Sequence, residues 1–518
     1  MNKGTTSRDK EARPGHGARL LLCLALGAAA LLGAGALIAG GLARANQEKP
    51  GSTAAPISTA ELTAPLPAES PETLKLPSDS GETLELPPDA VPGPYNAYDC
   101  QKLIAFFDQT DEQGIGNGKK LDSRYDSRDI TDAARALGAV WAAQADGELR
   151  LVALRYHGKS SQVQELPAKP HFAGSLDLSG CTALREVQLY YDFPGLCVDG
   201  CTALERLVCI YEPMDALVLR DCPALNEIQI EFSALRSFRM EGCPAVRRLW
   251  LYATRLSEFS VRGAEALQSL TLGENRLTAL DLSGMSELEE LSIQRTRLRS
   301  LDLTPCPKLK LLSVEGTEAV SRLDLSPCGQ LTRLYCASLG ITELDLSPCP
   351  KLQRLILREN SALTQLKLSE SGDLAWLELH DCPVTELDLS ACRDLTRLEV
   401  GGTELTELDL SGMQGLHNLR LNRNPLRSVD LSGCDQLGFY GIRAVGNGAV
   451  DLTLSYSKGR YGPKRAAISA EARPGEGQVF LGWQDCQGNA LYPDLRDKEW
   501  LEIEADGSYD GLTAVFGQ

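Results

Sequence analysis

Three groups of residues in this chain have types and spacings that could do chemistry. The first is a set of cysteines in phase: Cys181, Cys201, Cys222, Cys243, Cys306, Cys328, Cys349, Cys392 and Cys434. Each stands five residues after the first member of an apolar-x-apolar triplet, as in ELDLSPCPKLQRLIL over residues 343–357. Such a column could be a disulfide framework, a thiolate metal site or core filler. At the same phase four other units carry Ala264, Met285, Ser371 and Met413. Neither a bridge nor a metal ligand survives exchange for methionine or alanine, whereas an apolar slot does. C-x-x-C spacing is absent, and the five histidines are too few to support a metal framework. The column therefore reads as soft apolar core, and no metal site or cofactor is expected. Bridges between neighbouring cysteines stay open as an alternative, with at least one of the 16 − 1 = 15 cysteines beyond Cys23 unpaired.

The second group is a row of aspartates at the middle of the same triplets: Asp177, Asp281, Asp302, Asp324, Asp345, Asp388, Asp409 and Asp430. Stacked carboxylates attract calcium, but a Ser-Gly or Ser-Pro follows most of them, and short acidic side chains there bond their own turn. The turn reading is preferred. The third group is His380-Asp381-Cys382, a nominal Cys-His pair. Alternation along an extended strand puts the thiol inward and the imidazole outward, so the two cannot act together. No G-x-S-x-G, H-E-x-x-H or phosphate-cradling glycine loop occurs, and no catalytic residue is expected. DQTDEQGIGNG, at residues 108–118, has the composition of a calcium loop without its ligand positions.

The elements that position these residues are set by a repeat. Apolar-x-apolar triplets begin at Leu176, Leu196, Leu217, Phe238, Phe259, Leu280, Leu301, Leu323, Leu344, Leu366, Leu387, Leu408 and Val429, in steps of 20–22 residues. Between them runs L-x-x-L-x-L-x-x-N-x-L, cleanest at Leu267, Leu270, Leu272, Asn275 and Leu277 and again at Leu416, Leu419, Leu421, Asn424 and Leu426. In an extended segment L-x-L puts both leucines on one side. One coil cannot bury them alone; stacked coils can. The asparagine of the pattern, repeated at Asn360, points inward to satisfy turn backbone, while Thr254, Thr296, Thr317, Thr403 and Cys382 take its place elsewhere. The period and pattern resemble the leucine-rich repeat family, in particular its internalin type. The resemblance implies a repeat solenoid of about 13 coils of 21 residues, β-rich with little helix, flanked by an N-terminal cap and a small all-β C-terminal domain. It also implies a recognition scaffold rather than an enzyme.

With 52 Lys+Arg against 70 Asp+Glu the net charge is −18, which disfavours nucleic acid as a partner. Residues 1–19 form a basic leader and 20–42 an uncharged apolar run of 23 residues, long for a signal peptide and sufficient for a span. A signal-anchor is the expectation; cleavage at the A-x-A of Ala43-Arg44-Ala45 is the alternative. Cys23 lies too early in the run to read as a lipoprotein cysteine. Either reading puts the rest outside the cytoplasm, membrane-anchored or secreted, with no second apolar span or sorting tail to anchor the other end. Residues 43–95 are a Pro/Ser/Thr/Glu-rich spacer, 96–172 an N-terminal cap with helical and then strand spacing, 173–445 the solenoid, and 446–518 the all-β module. The last of these, with FLGWQDCQGNAL and YDGLTAVF, resembles small repeat modules of bacterial surface proteins; Cys486 falls in one of its turns.

Outward positions of the L-x-x-L-x-L strands make up the inner strand face of the solenoid. In the first coils they bring together Tyr190, Tyr191, Val208, Ile210, Tyr211, Phe232, Trp250 and Tyr252, an apolar patch of the kind that marks an interaction site. A second patch mixes charge and rings: Arg333, Tyr335, Arg354, Ile356, Arg358, Trp376, His380 and Arg397, a positive strip suited to an anionic partner. The expected function is recognition of a protein or glycan ligand through this face. The alternative is a cell-envelope spacer with no specific ligand.

Overall fold

The computed structural model describes residues 95–518, except 146, 159–171, 371, 435–440, 446–447, 458–464, 486–489, 491–499, 506–511 and 518. The leader, the apolar run and the spacer, together with Ser371 and Cys486, lie outside the described residues. No described helix is long and apolar enough to cross a membrane.

The chain opens with helix α1 (Ala97–Phe107), whose first turn is capped by Asn96 Oδ1 accepting from the Asp99 amide at 3.2 Å. Leu103, Ile104, Phe106 and Phe107 recur at helical spacing and are buried. Asp99 is fully buried, accepting from Arg150 Nε at 2.7 Å, Arg150 Nη2 at 3.1 Å and the Leu151 amide at 2.9 Å. This bidentate pair locks α1 onto the strand that starts the solenoid. Short helices α2 (Asn117–Leu121) and α3 (Thr131–Ala136) follow. Asp111, in the segment of calcium-loop composition, accepts from the Gln113 and Ile115 amides at 2.9 and 3.0 Å and pairs with Lys120 at 2.9 Å. Strand β1 (Ala139–Ala143) runs antiparallel to β2 (Leu149–Tyr156). β2 is the first strand of a long parallel ladder.

That ladder continues through Glu186–Tyr190, Arg206–Ile210 and their successors to Asn418–Asn422, twelve strands at the repeat phase. The last triplet, at Val429, still pairs parallel with Glu407–Asp409; beyond it Gly441–Val445 runs antiparallel to Ser428–Asp430. Inward leucines align coil over coil, for example Leu249 with Leu270 and Leu251 with Leu272, and all four are buried. Short parallel strands such as Ala216–Arg220 and Ser237–Glu241 form the opposite wall.

After each strand the chain must turn sharply inward, and it does so on one residue of positive φ. Tyr191, Tyr211, Phe232, Ala253, Glu274, Arg295, Ser338, Glu359, Asp381 and Arg423 occupy this slot, with Gly316 and Gly402 in two coils. The strain is repeatedly compensated, because the corner amides donate to the next coil, as Tyr211 N does to Glu231 O at 2.9 Å and Asp381 N to Gly401 O at 2.8 Å. The last of them, Arg423 N, donates to Asp451 Oδ1 at 2.7 Å. The aspartate row serves the other corner. All eight carboxylates accept the amide two residues on, at 2.8–2.9 Å. The inward asparagines act as expected: Asn360 accepts from the Leu339 amide at 3.0 Å and donates to Cys336 O at 3.0 Å, and Asn424 does the same with Thr403 N (3.1 Å) and Val400 O (2.9 Å).

The cysteine column is core. Cys181, Cys201, Cys222, Cys243, Cys306, Cys328, Cys349 and Cys392 are buried free thiols. Several also donate weakly to the coil before: Cys201 Sγ to Leu178 O at 3.1 Å and Cys222 Sγ to Val198 O at 3.2 Å. At those positions the thiol makes a bond that a leucine could not.

Candidate binding surface

The solvent face of the long sheet is defined by register. Across its first coils Val208 aligns with Gln229 and Trp250, and Ile210 with Glu231 and Tyr252. The corner residues just past these strands carry the rings. Tyr191 stacks on Tyr211 with centroids 4.9 Å apart and planes 4° from parallel, and Tyr211 stacks on Phe232 at 4.9 Å and 13°. This spacing is the strand spacing itself, so the ladder is a direct readout of coil stacking. Tyr252 closes one end, meeting Phe232 edge-on at 6.1 Å and 78°. Gly158 closes the other, where a Cβ would sit 3.3 Å from the Tyr191 ring. Tyr252 in turn lies over Gly273, whose missing side chain makes room for it, and donates to Glu274 at 3.2 Å.

The exposed patch is narrower than the alternation implies. Val208 is only 2% exposed, covered by the larger side chains beside it, and Trp250 is half-buried with its indole N–H enclosed and unpartnered. Tyr190 and Ile210 are half-buried, and Tyr190 meets the His157 ring at 5.0 Å. Phe232, at 37%, is the most open member. Burial raises the Tyr191 and Tyr211 phenols, so both stay neutral at physiological pH.

Beneath the ladder lies a group that sequence reading missed. Glu212 occupies the inward asparagine slot and is fully buried. One oxygen accepts from the Phe193 amide at 2.7 Å and the Asp192 amide at 3.1 Å; the other has no partner. Burial lifts its carboxyl well above the ordinary range.

The second patch is brought together as expected over Arg333–Ala337, Arg354–Arg358, Trp376–His380 and Arg397–Gly401, except that Ile356 is buried. Arg333, Arg354, Trp376 and Arg397 align in one column. The structure adds two residues absent from the sequence reading, Glu378 and Glu399, nearly buried at the neighbouring outward position. Glu378 accepts from Arg358 at 2.6 Å and from the Trp376 indole at 2.9 Å. Glu399 pairs with Arg397, with Arg420 at 3.6 Å and with His380 at 3.7 Å, contacts that hold its carboxyl down at about 2, the His380 hydrogen bond foremost. Glu378, His380 and Glu399 present ligand atoms within 4.8 Å of one another. A divalent cation there would have to displace guanidiniums already neutralising both carboxylates. The arrangement is an ion-pair network. His380 and Cys382 are not a catalytic pair: Cys382 is buried, its thiol donates to the backbone oxygen of His380 at 3.3 Å, and its pKa is raised by burial.

A 20–22-residue period, in-register L-x-x-L-x-L strands and an inward turn slot held by asparagine or threonine in most of the coils decide the architecture. The chain is a leucine-rich repeat solenoid. Solved structures with a similar chain path are a functional domain of InlJ from Listeria monocytogenes that includes a cysteine ladder (18% identity, 70% of this chain and 90% of that one, TM-score 0.35), YopM from Yersinia enterocolitica (19%, 54% and 75%, TM-score 0.32), and a leucine-rich cell surface protein from Faecalibacterium prausnitzii (13%, 58% and 91%, TM-score 0.16). At these identities no residue role passes from them to this solenoid. No family model and no curated protein matches the chain.

Proposed function

We propose that this leucine-rich repeat solenoid is a binding scaffold that recognises a protein partner through the ring ladder of its N-terminal coils. One observation carries the reading: Tyr191, Tyr211 and Phe232 stand in consecutive corner slots that the next coils fill with Ala253, Glu274 and Arg295, yet all three are large rings stacked in one ladder. Core packing does not require them there, and a passive spacer would do as well with polar residues. The geometry also favours protein over glycan. A sugar lies flat on a ring face, and here each face is covered by the next ring, by Gly158 or by the edge of Tyr252. What remains accessible is ring edges and phenol hydroxyls, which suit side chains and backbone carbonyls. The uncharged run of residues 20–42 behind a basic leader supports display outside the cytoplasm.

The test is a paired variant, Tyr211→Asn with Phe232→Asn. Asparagine tolerates positive φ, so the corners keep their conformation and the melting temperature should hold. The ectodomain, residues 46–518, should capture a ligand from envelope or host-surface fractions that protease treatment abolishes and glycosidase treatment spares, with the variant at least tenfold weaker. Unchanged capture by the variant, or loss of capture on glycosidase treatment alone, would overturn the proposal.

A further inference from the structure

Among the described residues, the charged patch on the later coils holds one cation that the fold leaves unspent. Glu378 and Glu399 are neutralised by Arg358, Arg397 and Arg420. Among the described residues Arg354 has no carboxylate partner: its guanidinium lies 3.6 Å from the centre of the Trp376 ring and 5.4 Å from that of Tyr335, and its Nε is enclosed without a partner. Arg397, from the coil on the other side, approaches the same indole at 4.2 Å. Trp376 is itself pinned by its bond to Glu378 at 2.9 Å, so the ring is a fixed platform. Stacking holds a guanidinium by its face and leaves its N–H edge free for a planar two-oxygen acceptor. Arg333 is the register neighbour of Arg354 and reaches only Glu290, at 3.8 Å. At the outward positions of these strands five arginines (333, 354, 358, 397 and 420) against Glu290, Glu315, Glu378 and Glu399 leave 5 − 4 = +1 on a chain of net charge −18.

We infer that this surface is a second binding site, in which Arg354, stacked on Trp376 and seconded by Arg333, receives carboxylate side chains from an acidic segment of a protein partner. Charge complementarity selects that occupant. A local surplus of one cation, backed by Arg333, matches a carboxylate, while the acidic remainder of the molecule repels a long polyanion such as nucleic acid or an anionic membrane. The site is independent of the ring ladder, being carried by different coils and by charge rather than by ring edges.

A fluorescent hexaglutamate peptide tests it by anisotropy at about 50 mM salt, where surface electrostatics are strong. Wild-type ectodomain should bind it, bind hexaglutamine not at all, and lose affinity as salt rises. Arg354→Gln should weaken binding at least fivefold, and Arg354→Lys should weaken it too, because lysine keeps the charge but lacks the planar fork. Arg239→Gln, on the opposite wall, should change nothing, nor should the Tyr211/Phe232 pair of variants, so this site and the ladder fail separately. If Arg354→Gln does not fold, Arg354→Lys decides alone. Equal hexaglutamate binding by wild type and the decisive Arg354 variant, no binding by wild type, or tighter binding of a six-nucleotide single-stranded DNA would each overturn the inference.

Discussion

A cysteine among leucines behaves as a leucine with one weak bond to give, and its reactivity follows from that. Burial pushes the Cys306 and Cys349 thiols up to about 11 and the Cys328 thiol to about 12. The thiolate is the nucleophile, so these groups are inert at neutral pH whatever the redox state of their surroundings. Cys197 differs: it holds an outward triplet position and is half-buried. Mapping of iodoacetamide adducts on the native protein should find Cys197 labelled before Cys306, Cys328 and Cys349, which react only after denaturation. Early labelling of these three would mean the column is open. Glu212 makes the opposite point, as a charged residue in a slot built for an amide. Its folded pKa is raised, so its contribution to stability is present in full below the ordinary carboxyl pKa near 4.5 and is lost as pH rises toward the folded value. Glu212→Gln keeps the acceptor for Phe193 N and adds a donor near Asp192. It should therefore be more stable than wild type at pH 8, by roughly 1 kcal/mol or more, with the gain vanishing near pH 4. Thermal melts at the two pH values read this directly; no gain at pH 8 means the carboxyl is not held neutral.

At the scale of the coil, the inward side was legible because stacking makes it strict. A leucine at Leu270 must meet one at Leu249, and any polar residue there would be felt in two coils at once. The cysteine column and the asparagine ladder were read from this strictness, and the aspartate turn bonds from the Ser-Gly or Ser-Pro that follows them. The outward side obeys no such rule. Whether Val208 is exposed depends on the size of the side chains flanking it, and alternation says nothing of that. Glu378 and Glu399 occupy positions where a glutamate reads as ordinary solvated surface; only their three-dimensional neighbours, Arg358, Arg397 and Arg420, make them buried ion-pair partners. Listing the fifth strand position coil by coil, as Tyr335, Ile356, Glu378, Glu399 and Arg420, would have exposed the pattern, because register neighbours are chemical neighbours. The corner slot hid itself for a related reason. Positive φ usually announces itself by glycine, and here backbone bonds between coils enforce it on tyrosine, phenylalanine and arginine alike.

For residues 95–518, the open ends of the stack are the weak points, since an uncovered coil offers both apolar core and a row of unpaired backbone groups. The N-terminal end is closed by α1 and the Asp99–Arg150 pair. The C-terminal end is closed by prolonging both walls. Gly448–Ser457 runs antiparallel to Asn418–Asn422 and extends the long sheet into Arg465–Pro474 and Trp500–Ala505, while Gly441–Val445 extends the opposite wall into Leu512–Gly517 and Val479–Asp485. Between the walls Val450, Leu452, Trp483, Ala514 and Phe516 continue the core of the last coil. Asp451 fastens the joint, accepting from the Arg423 amide and from Arg473 Nη2, each at 2.7 Å. Deleting residues 446–518 from a chain of residues 46–518 should therefore leave Leu419 and Leu421 beside a bare strand edge, lower the melting temperature and drive association in sedimentation or light scattering. Asp451→Ala should do part of the same without deleting anything, by stranding Arg473 against the coil. A chain of residues 46–445 that stays monomeric and melts where residues 46–518 do would show that the last coil closes itself, and that the module is carried by the solenoid rather than required by it.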